Sequence, residues 1–366
     1  MQASRLPGLS QSFVRQEQAR RLRHKFRSFT ARGRRTIFAR RLATKDTPPS
    51  PWKRFRYRFE AAALGATTRL VPLLPRPVAL GLARALGWAA YFLLRQDRRV
   101  AYANLDIAFG DLVPPREKRR IARGTFQNLA SNLMGLFWAP RLTRENIGRY
   151  ARFDEADLAW YRSIQARGKG VIFITPHYGD WELASLCAGF NGVTYTTVTE
   201  PTKNPAIEQT ISRLRSVSGH TTVHPRFAVV KLFKAISRGE TIGVLVDVNA
   251  RRGRGGVWLD FFGLKVFNSA AVAELALRTG AAIVFGYAEM LPGRRLRIAF
   301  VPEIEPSRTG DREKDVLLTS QRCLDRCAEV IRKNPEHWLW TYKRWKRRPS
   351  PELGGYPFYS KYDPNT

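Results

Sequence analysis

A histidine and a glutamate, His177 and Glu182, lie five positions apart just after an apolar run, in residues 171–182 (VIFITPHYGDWE). An imidazole can take a proton from a hydroxyl, and a nearby carboxylate can stabilise the imidazolium that forms. On one continuous helix the two side chains would diverge by about 140°, at about 100° per residue. If His177 ends a strand and Asp180 caps a following helix, the turn between them can bring both side chains into one cleft. The spacing therefore predicts a strand, a turn and a helix around an acid–base site.

A second carboxylate, Asp247, ends another apolar run, residues 241–246 (TIGVLV). A carboxylate in such a place loses solvation energy unless a partner uses it. Ligands of open α/β sheets bind outside the carboxyl ends of the strands, where His177 is also expected. Pairing with Asp247 would fix the tautomer of the His177 imidazole and raise its basicity. The sequence leaves open whether Glu182 or Asp247 orients the imidazole.

Short apolar runs alternate with helical patterns from about residue 168 onward. The runs predict strands at residues 171–175, 193–198, 241–246, 281–287 and 296–301. Helices are expected at residues 183–190, 206–217, 227–237, 269–278 and 313–332. This alternation predicts an α/β layered domain with a mostly parallel central sheet.

The part of the chain before residue 150 has a different character. We expect a basic N-terminal arm at residues 1–58, a helical membrane-associating region at 59–150, the α/β domain at 151–349 and a tail at 350–366. The apolar run 85–94 lies between arginines and is too short to cross about 30 Å of hydrocarbon. It suits a helix in the membrane interface, with Trp88 and Tyr91 at the headgroup level. The alternative is a buried core helix.

The charge of the chain is strongly positive: 63 Lys and Arg against 30 Asp and Glu leave +33 over 366 residues. Seventeen of these cations and two of the acids fall in residues 1–58, which predicts an arm that is disordered alone and settles on an anionic surface. An organellar transit peptide is a further interpretation of the arm. A surface this basic meets anions, either nucleic acid, phospholipid headgroups or acidic proteins.

Several classes of protein are excluded. Three cysteines are too few for a disulfide scaffold, and Cys323 and Cys327 have no zinc-type partners in the sequence. The absence of an uncharged apolar run of about 18 residues argues against a polytopic membrane protein.

Residues 177–182 (HYGDWE) resemble the His-Phe-Gly-Asn-Trp-Glu motif of the bacterial lipid A biosynthesis (lauroyl/myristoyl) acyltransferases. These form a branch of the His-x4-Asp/Glu lysophospholipid-type acyltransferases. The resemblance covers about residues 60–349, and further segments follow in the family's order: 203–205 (KNP), 213–215 (RLR), the strand ending at Asp247, 261–263 (FFG) and 335–349 (PEHWLWTYKRWKRRP). Asp180 replaces the family's usual Asn, Tyr342 replaces its usual His, and the arm before residue 50 has no counterpart.

The resemblance implies a glycerol-3-phosphate-acyltransferase-like fold and a direct acyl transfer without a cofactor or a metal. The donor would be an acyl thioester on acyl carrier protein, and the acceptor a hydroxyl of a lipid A precursor or a related anionic glycolipid. His177 would be the general base. The other expected site residues are Glu182 and Asp247 beside the base, and Lys203, Asn204, Arg213, Arg215 and Asn249 as substrate contacts.

The implied location is the cytoplasmic face of the bacterial inner membrane, with a peripheral or single-anchor attachment to its surface. Three alternatives stay open at this point. They are a nucleic-acid-binding protein, for which no motif occurs, a lipid hydrolase in which the base activates water, and an acyltransferase that acts on another membrane lipid.

Overall fold

The computed structural model describes residues 50–199, 202–225, 228–251, 255–291, 293 and 295–364. The chain divides into two units, residues 1–58 and 59–366. Most of the expected basic arm, residues 1–49, lies outside the described residues. Its last residues belong to helix α1 (Pro51–Leu70).

Three further helices precede the sheet: α2 (Arg76–Leu93), α3 (Arg95–Phe109) and α4 (Pro115–Trp138). Helix α2 buries one face, including Ala83 and Tyr91, and packs on α4. The two helices approach closely at Gly87, where a Cβ atom would lie 2.6 Å from the Cα of Gln127. Only a glycine allows the backbones to come this near without displacement.

The central sheet has seven strands, in the order β1-β9-β8-β2-β5-β3-β4. Every neighbouring pair is parallel except β8 and β9. Their bounds are β1 Ala151–Phe153, β2 Val171–Thr175, β3 Thr196–Val198, β4 Thr221–Val223, β5 Thr241–Leu245, β8 Ala282–Met290 and β9 Leu296–Phe300. The predicted α/β architecture with a mostly parallel sheet is confirmed.

Helices cover the sheet: α5 Glu155–Gln165, α6 Trp181–Phe190, α7 Pro205–Ser216, α8 Ala228–Ser237, α9 Ala271–Thr279 and α10 Arg312–Lys333. The central strands are buried, with Ile172 of β2, Ile242 of β5 and Phe285 of β8 inaccessible to solvent in one apolar core. This core fixes the two strands that carry the expected site.

Residues 256–269 form a hairpin that the sequence interpretation lacked. Strand β6 (Gly256–Phe261) pairs antiparallel with β7 (Leu264–Ser269). The turn consists of Phe262 and Gly263, both with positive φ, 52° and 81°. Two short C-terminal strands, β10 (Arg347–Arg348) and β11 (Lys361–Tyr362), also pair.

Within the described residues, no single helix is long and apolar enough to cross a membrane. Helix α2 together with residues 95–112 has the required length and composition, but the pair bends by 89°.

Candidate active site

The candidate site lies where β2 and β5 end. The two strands are parallel and in register, and their last residues, Thr175 and Leu245, face each other. His177 and Asp247 each follow two residues later. Because each residue follows a paired strand end by two positions, the two side chains lie at the same edge of the sheet, as the sequence predicted.

Two hydrogen bonds join His177 to Asp247. The imidazole Nδ1 lies 2.9 Å from Oδ1 of the carboxylate, and the backbone N–H of His177 donates to Oδ2 over 2.9 Å. Because an ionised carboxylate only accepts hydrogen bonds, Nδ1 carries the proton, and Nε2 is left as the basic nitrogen. Nε2 makes no hydrogen bond to any described residue. Asp247 is thus the carboxylate that orients the imidazole.

A third donor reaches the same carboxylate from a distant part of the chain. The indole N–H of Trp338 donates to Oδ2 of Asp247 over 2.9 Å. Trp338 and Asp247 are almost completely buried, with 1% and 2% of their surface exposed. Trp338 lies in the segment 335–349, which resembles the family's C-terminal motif, but the resemblance assigns it no role. The tryptophans of that motif were the signal that could have suggested one.

The pKa values of the pair follow from these contacts. Burial is the largest influence on His177 and by itself lowers the imidazole pKa, but the charge and hydrogen bond of Asp247 outweigh it. Glu182 raises the same pKa and Arg215 lowers it, so the net result lies above the ordinary value of 6.5. Burial alone would raise the pKa of Asp247, but the contacts with His177 and Trp338 hold it below its usual value. The pair therefore consists of a carboxylate and an imidazole that binds protons readily.

Glu182 has a different partner. Its carboxylate forms a two-pronged ion pair with the guanidinium of Arg215, whose Nε lies 3.0 Å from Oε2. Glu182 is buried, whereas a third of the Arg215 side chain is exposed. This geometry places the arginine close to the imidazole, where its charge lowers the pKa of His177. The structure brings together two predicted residues that the sequence had given separate roles.

The turn between strand and helix is held tightly. Gly179 has φ of 61°, and a Cβ atom there would lie 2.4 Å from the carbonyl oxygen of Ala288. Its carbonyl accepts hydrogen bonds from the side chains of Asn128 and Asn132. Asp180 caps helix α6 by accepting from the N–H of Leu183, as predicted, and burial raises the pKa of its carboxyl to about 6.

The imidazole of His177 contacts the indole of Trp181. The two rings meet edge to face with centroids 5.3 Å apart. One fifth of the His177 side chain is exposed, so a substrate group can reach the imidazole. Among the described residues, no three His, Cys, Asp or Glu side chains lie close enough to hold a metal ion.

The remaining predicted substrate contacts are distributed over two regions. Arg213 and Lys203 are exposed, and Arg213 lines a cavity. Asn204 is buried, caps helix α7 through the N–H of Ala206 and donates to Glu60. Their role as substrate contacts stays a prediction.

Asn249 lies two residues beyond Asp247 and holds the C-terminal segment. Its side chain donates to the carbonyl of Lys343 and accepts from Arg344, and its backbone N–H donates to the hydroxyl of Tyr342. In the basic run 343–348, Arg344 and Trp345 are fully buried, whereas Lys343 and Lys346 are exposed. Only part of this run is therefore available to a partner.

One known family covers most of the chain. The model of the bacterial lipid A biosynthesis acyltransferases matches residues 53–347. The chain belongs to this family. It is therefore an acyltransferase, and the resemblance noted in the sequence is confirmed.

Three characterised relatives are similar over most of their length. The lipid A biosynthesis lauroyltransferase of Escherichia coli (strain K12) is 25% identical over 291 residues, 76% of this chain and 89% of the relative. The palmitoleoyltransferase of the same strain is 24% identical, over 77% of this chain and 90% of its own. A phosphatidylinositol mannoside acyltransferase of Mycolicibacterium smegmatis is 25% identical, over 62% of this chain and 72% of its own. The names of all three describe acyl transfer to a glycolipid.

Proposed function

We propose that this acyltransferase moves a fatty acyl chain from a thioester of acyl carrier protein to a hydroxyl of a lipid A precursor or a related anionic glycolipid. The observation that carries the proposal is the buried Asp247 bonded to Nδ1 of His177, which leaves Nε2 free and basic at the end of the sheet. The relatives support a glycolipid as acceptor.

His177 acts as the general base in this reaction. Nε2 takes the proton of the acceptor hydroxyl, while the oxygen of that hydroxyl attacks the carbonyl carbon of the thioester. The tetrahedral intermediate collapses with cleavage of the C–S bond, and the imidazolium returns the proton to the leaving thiolate. The ester and the free thiol are the products. Asp247 holds the imidazole in the productive tautomer and stabilises the imidazolium in between.

The oxyanion of the intermediate requires hydrogen-bond donors. The backbone N–H of Gly179 already donates to the carbonyl of His337. The amides of Trp181 and Glu182, at the start of helix α6, donate to no described acceptor. These two amides are the proposed donors, and the positive end of the helix dipole supports the same role.

The acceptor headgroup binds near helix α7 in this proposal. A cavity of about 440 Å³ is lined by Arg69 and Arg213 together with apolar atoms, among them those of Leu214 and Val217. Arginines beside an apolar wall suit a lipid with an anionic sugar headgroup. Arg215, on the same helix, would contact the headgroup nearer to the base.

The acyl carrier protein docks on the basic side of the C-terminal segment in this proposal. A second cavity, of about 630 Å³, is lined by Arg251, Lys343, Lys346 and Arg347 beside Asn249. Such a cluster attracts an acidic protein and would bring the thioester to the end of β5 that carries Asp247.

The enzyme works at the cytoplasmic face of the inner membrane in this proposal. Helix α2 exposes a row of apolar side chains opposite its packed face: Val78, Leu82, Leu86, Trp88, Phe92 and Leu93. Arg84 and Arg95 are exposed along the same helix and at its end. An apolar face with arginines suits the interface of an anionic bilayer, with the region 59–150 as the membrane-associating part.

Replacing the base tests the proposed function directly. His177→Ala should lower kcat about 10²–10⁴-fold, because a positioned base contributes about that much to the rate. The assay follows acyl transfer from acyl carrier protein to a lipid A precursor by mass spectrometry of the lipid product, with circular dichroism as the control for folding. Activity close to that of the wild type in the folded variant would refute the assignment.

The same assay separates the remaining candidates. An acylated glycolipid supports the proposal, and free fatty acid without an acylated acceptor would instead indicate a hydrolase. Acylation of phospholipid in place of glycolipid would identify another acceptor.

A further inference from the structure

Three tryptophans in the C-terminal segment 338–345 are fully buried, and their indole N–H groups differ in their hydrogen-bond partners. Trp338 donates to the carboxylate of Asp247 over 2.9 Å, and Trp340 donates to the backbone carbonyl of Pro335 over 2.6 Å. The N–H of Trp345 has no partner among the described residues. The three rings are 0–1% exposed. Only one of the three indoles is bonded to a group of the candidate site.

The bond of Trp338 determines which oxygen of Asp247 faces the imidazole. Oδ2 accepts from the indole and from the backbone N–H of His177, whereas Oδ1 accepts from the imidazole Nδ1. Two donors on Oδ2, from different parts of the fold, oppose rotation of the carboxylate about its Cβ–Cγ bond. Without the indole, Oδ2 keeps one donor, the backbone N–H of His177, on a carboxylate that is buried.

We infer that Trp338 is a positioning residue for acyl transfer, which acts through Asp247 to hold the imidazole of His177 ready to take the acceptor proton. The inference rests on the proposed role of His177 as the general base. It adds a member to the site that lies 91 residues from Asp247 in the sequence.

The residues around Trp338 hold its indole in one orientation. Its ring meets those of Phe261 and Trp340 edge to face, with centroids 5.6 Å and 4.6 Å away. Its backbone carbonyl accepts from the hydroxyl of Thr125 on helix α4, and Tyr178 pairs with it in an isolated β-bridge. The N–H is thus rigidly aimed, and a rigid donor transmits its geometry to the carboxylate.

The test compares the same change at the three tryptophans. Trp338→Phe should lower kcat about 10-fold and leave KM within about twofold. A misplacement of 1 Å can cost roughly 100-fold, and the remaining donor to Oδ2, the backbone N–H of His177, limits the displacement. Trp340→Phe and Trp345→Phe, which remove an equally buried indole of the same segment, should stay within about threefold of the wild type. Equal losses of kcat in all three variants would show a merely structural role and overturn the inference.

A double-mutant cycle with Asp247→Asn identifies the route of the effect. If Trp338 acts through the carboxylate, Trp338→Phe should change kcat less than twofold once Asp247 is already Asn. Losses that multiply in the double variant would contradict the inference. An active His177→Ala variant would refute the proposed function, whereas an inactive one together with an unaffected Trp338→Phe variant would refute only the role of Trp338.

A variant with an altered ring covers the case in which Trp338→Phe fails to fold. Replacing the indole of Trp338 by benzothiophene, by incorporation of the corresponding amino acid, keeps the bicyclic shape and removes the N–H. The same 10-fold loss of kcat is expected, and an unchanged kcat would overturn the inference.

Discussion

The imidazole of His177 is in contact with a buried anion, and this contact determines at which pH it can act as the proposed general base. A general base must be unprotonated in the free enzyme, so activity is lost as the pH falls through its pKa. Burial alone would lower the pKa of His177, but Asp247 raises it above the ordinary value. The acid limb of the pH–rate profile therefore belongs above pH 6.5.

Replacing the carboxylate should move this limb. In Asp247→Asn the attraction is gone while burial remains, so the pKa of His177 falls and the acid limb of kcat/KM shifts to lower pH. The plateau rate should also fall, by about 10²-fold or more, because the amide favours the wrong tautomer. The profile of kcat/KM between pH 5 and 9 measures both effects. Glu182→Gln is the comparison, and a larger downward shift in that variant would argue against Asp247 as the dominant partner.

Sequence reasoning identified His177 and Asp247 because both end apolar runs, and the ends of parallel strands meet. It could not choose between Asp247 and Glu182. That choice depends on Arg215, whose side chain binds Glu182 from a helix 33 residues away. It also gave no role to Trp338, because a bond between side chains 91 residues apart leaves no local pattern and only the family's C-terminal motif points to this tryptophan.

At the level of elements, the junction of helices α2 and α4 depends on Gly87. A Cβ atom there would lie 2.6 Å from the Cα of Gln127 and 2.7 Å from the carbonyl oxygen of Phe126, both of which are backbone atoms. With alanine at position 87 the two helices must move apart, which should lower the free energy of unfolding by about 1–3 kcal/mol, as is typical of overpacking.

Two alanine substitutions in helix α2 test this contact. Gly87→Ala should lower the free energy of unfolding by about 1–3 kcal/mol. Gly81→Ala, at a position with open space around it, should raise the free energy by roughly 0.5–1 kcal/mol, because alanine favours a helix over glycine. Urea unfolding followed by circular dichroism measures both. Equal stability of the two variants would contradict the described packing.

The hairpin β6–β7 shows where element prediction failed. Two-residue hairpin turns usually have the sequence Asn-Gly or Asp-Gly. Here Phe262 takes the left-handed conformation before Gly263, so the turn lacks the usual sequence signal. Strand β2, by contrast, has the predicted bounds, because a short apolar run that lies between Gly170 and Pro176 is typical of a buried strand.

For the molecule as a whole, membrane attachment should depend on one face. Leu82 and Leu86 are 47% and 53% exposed on helix α2, so replacing both by serine should leave the fold intact. Binding to vesicles of phosphatidylglycerol and phosphatidylethanolamine should weaken about tenfold or more, since full burial of a leucine contributes about 1.5–3 kcal/mol and about half of each side chain is still exposed. Sedimentation with the vesicles provides the measurement.

The matched control lies on helix α10, where Leu317 and Leu318 are 42% and 37% exposed. Serine at these positions should leave vesicle binding unchanged, and an equal loss would mean that the α2 face has no special part in it. With a net charge of +33, binding of the wild type should also weaken as salt rises.

The distance in sequence between Asp247 and Trp338 has a consequence for biosynthesis. The segment that contains Trp338, the residue that bonds to Asp247, also bonds to Asn104 and Thr125 of the early helices, through the carbonyls of Trp340 and Trp338. A ribosome must therefore translate and release the chain through residue 340 before these bonds can form. Until the segment that contains Trp338 has emerged, the nascent chain lacks the indole that bonds to Asp247, and the proposed site stays incomplete.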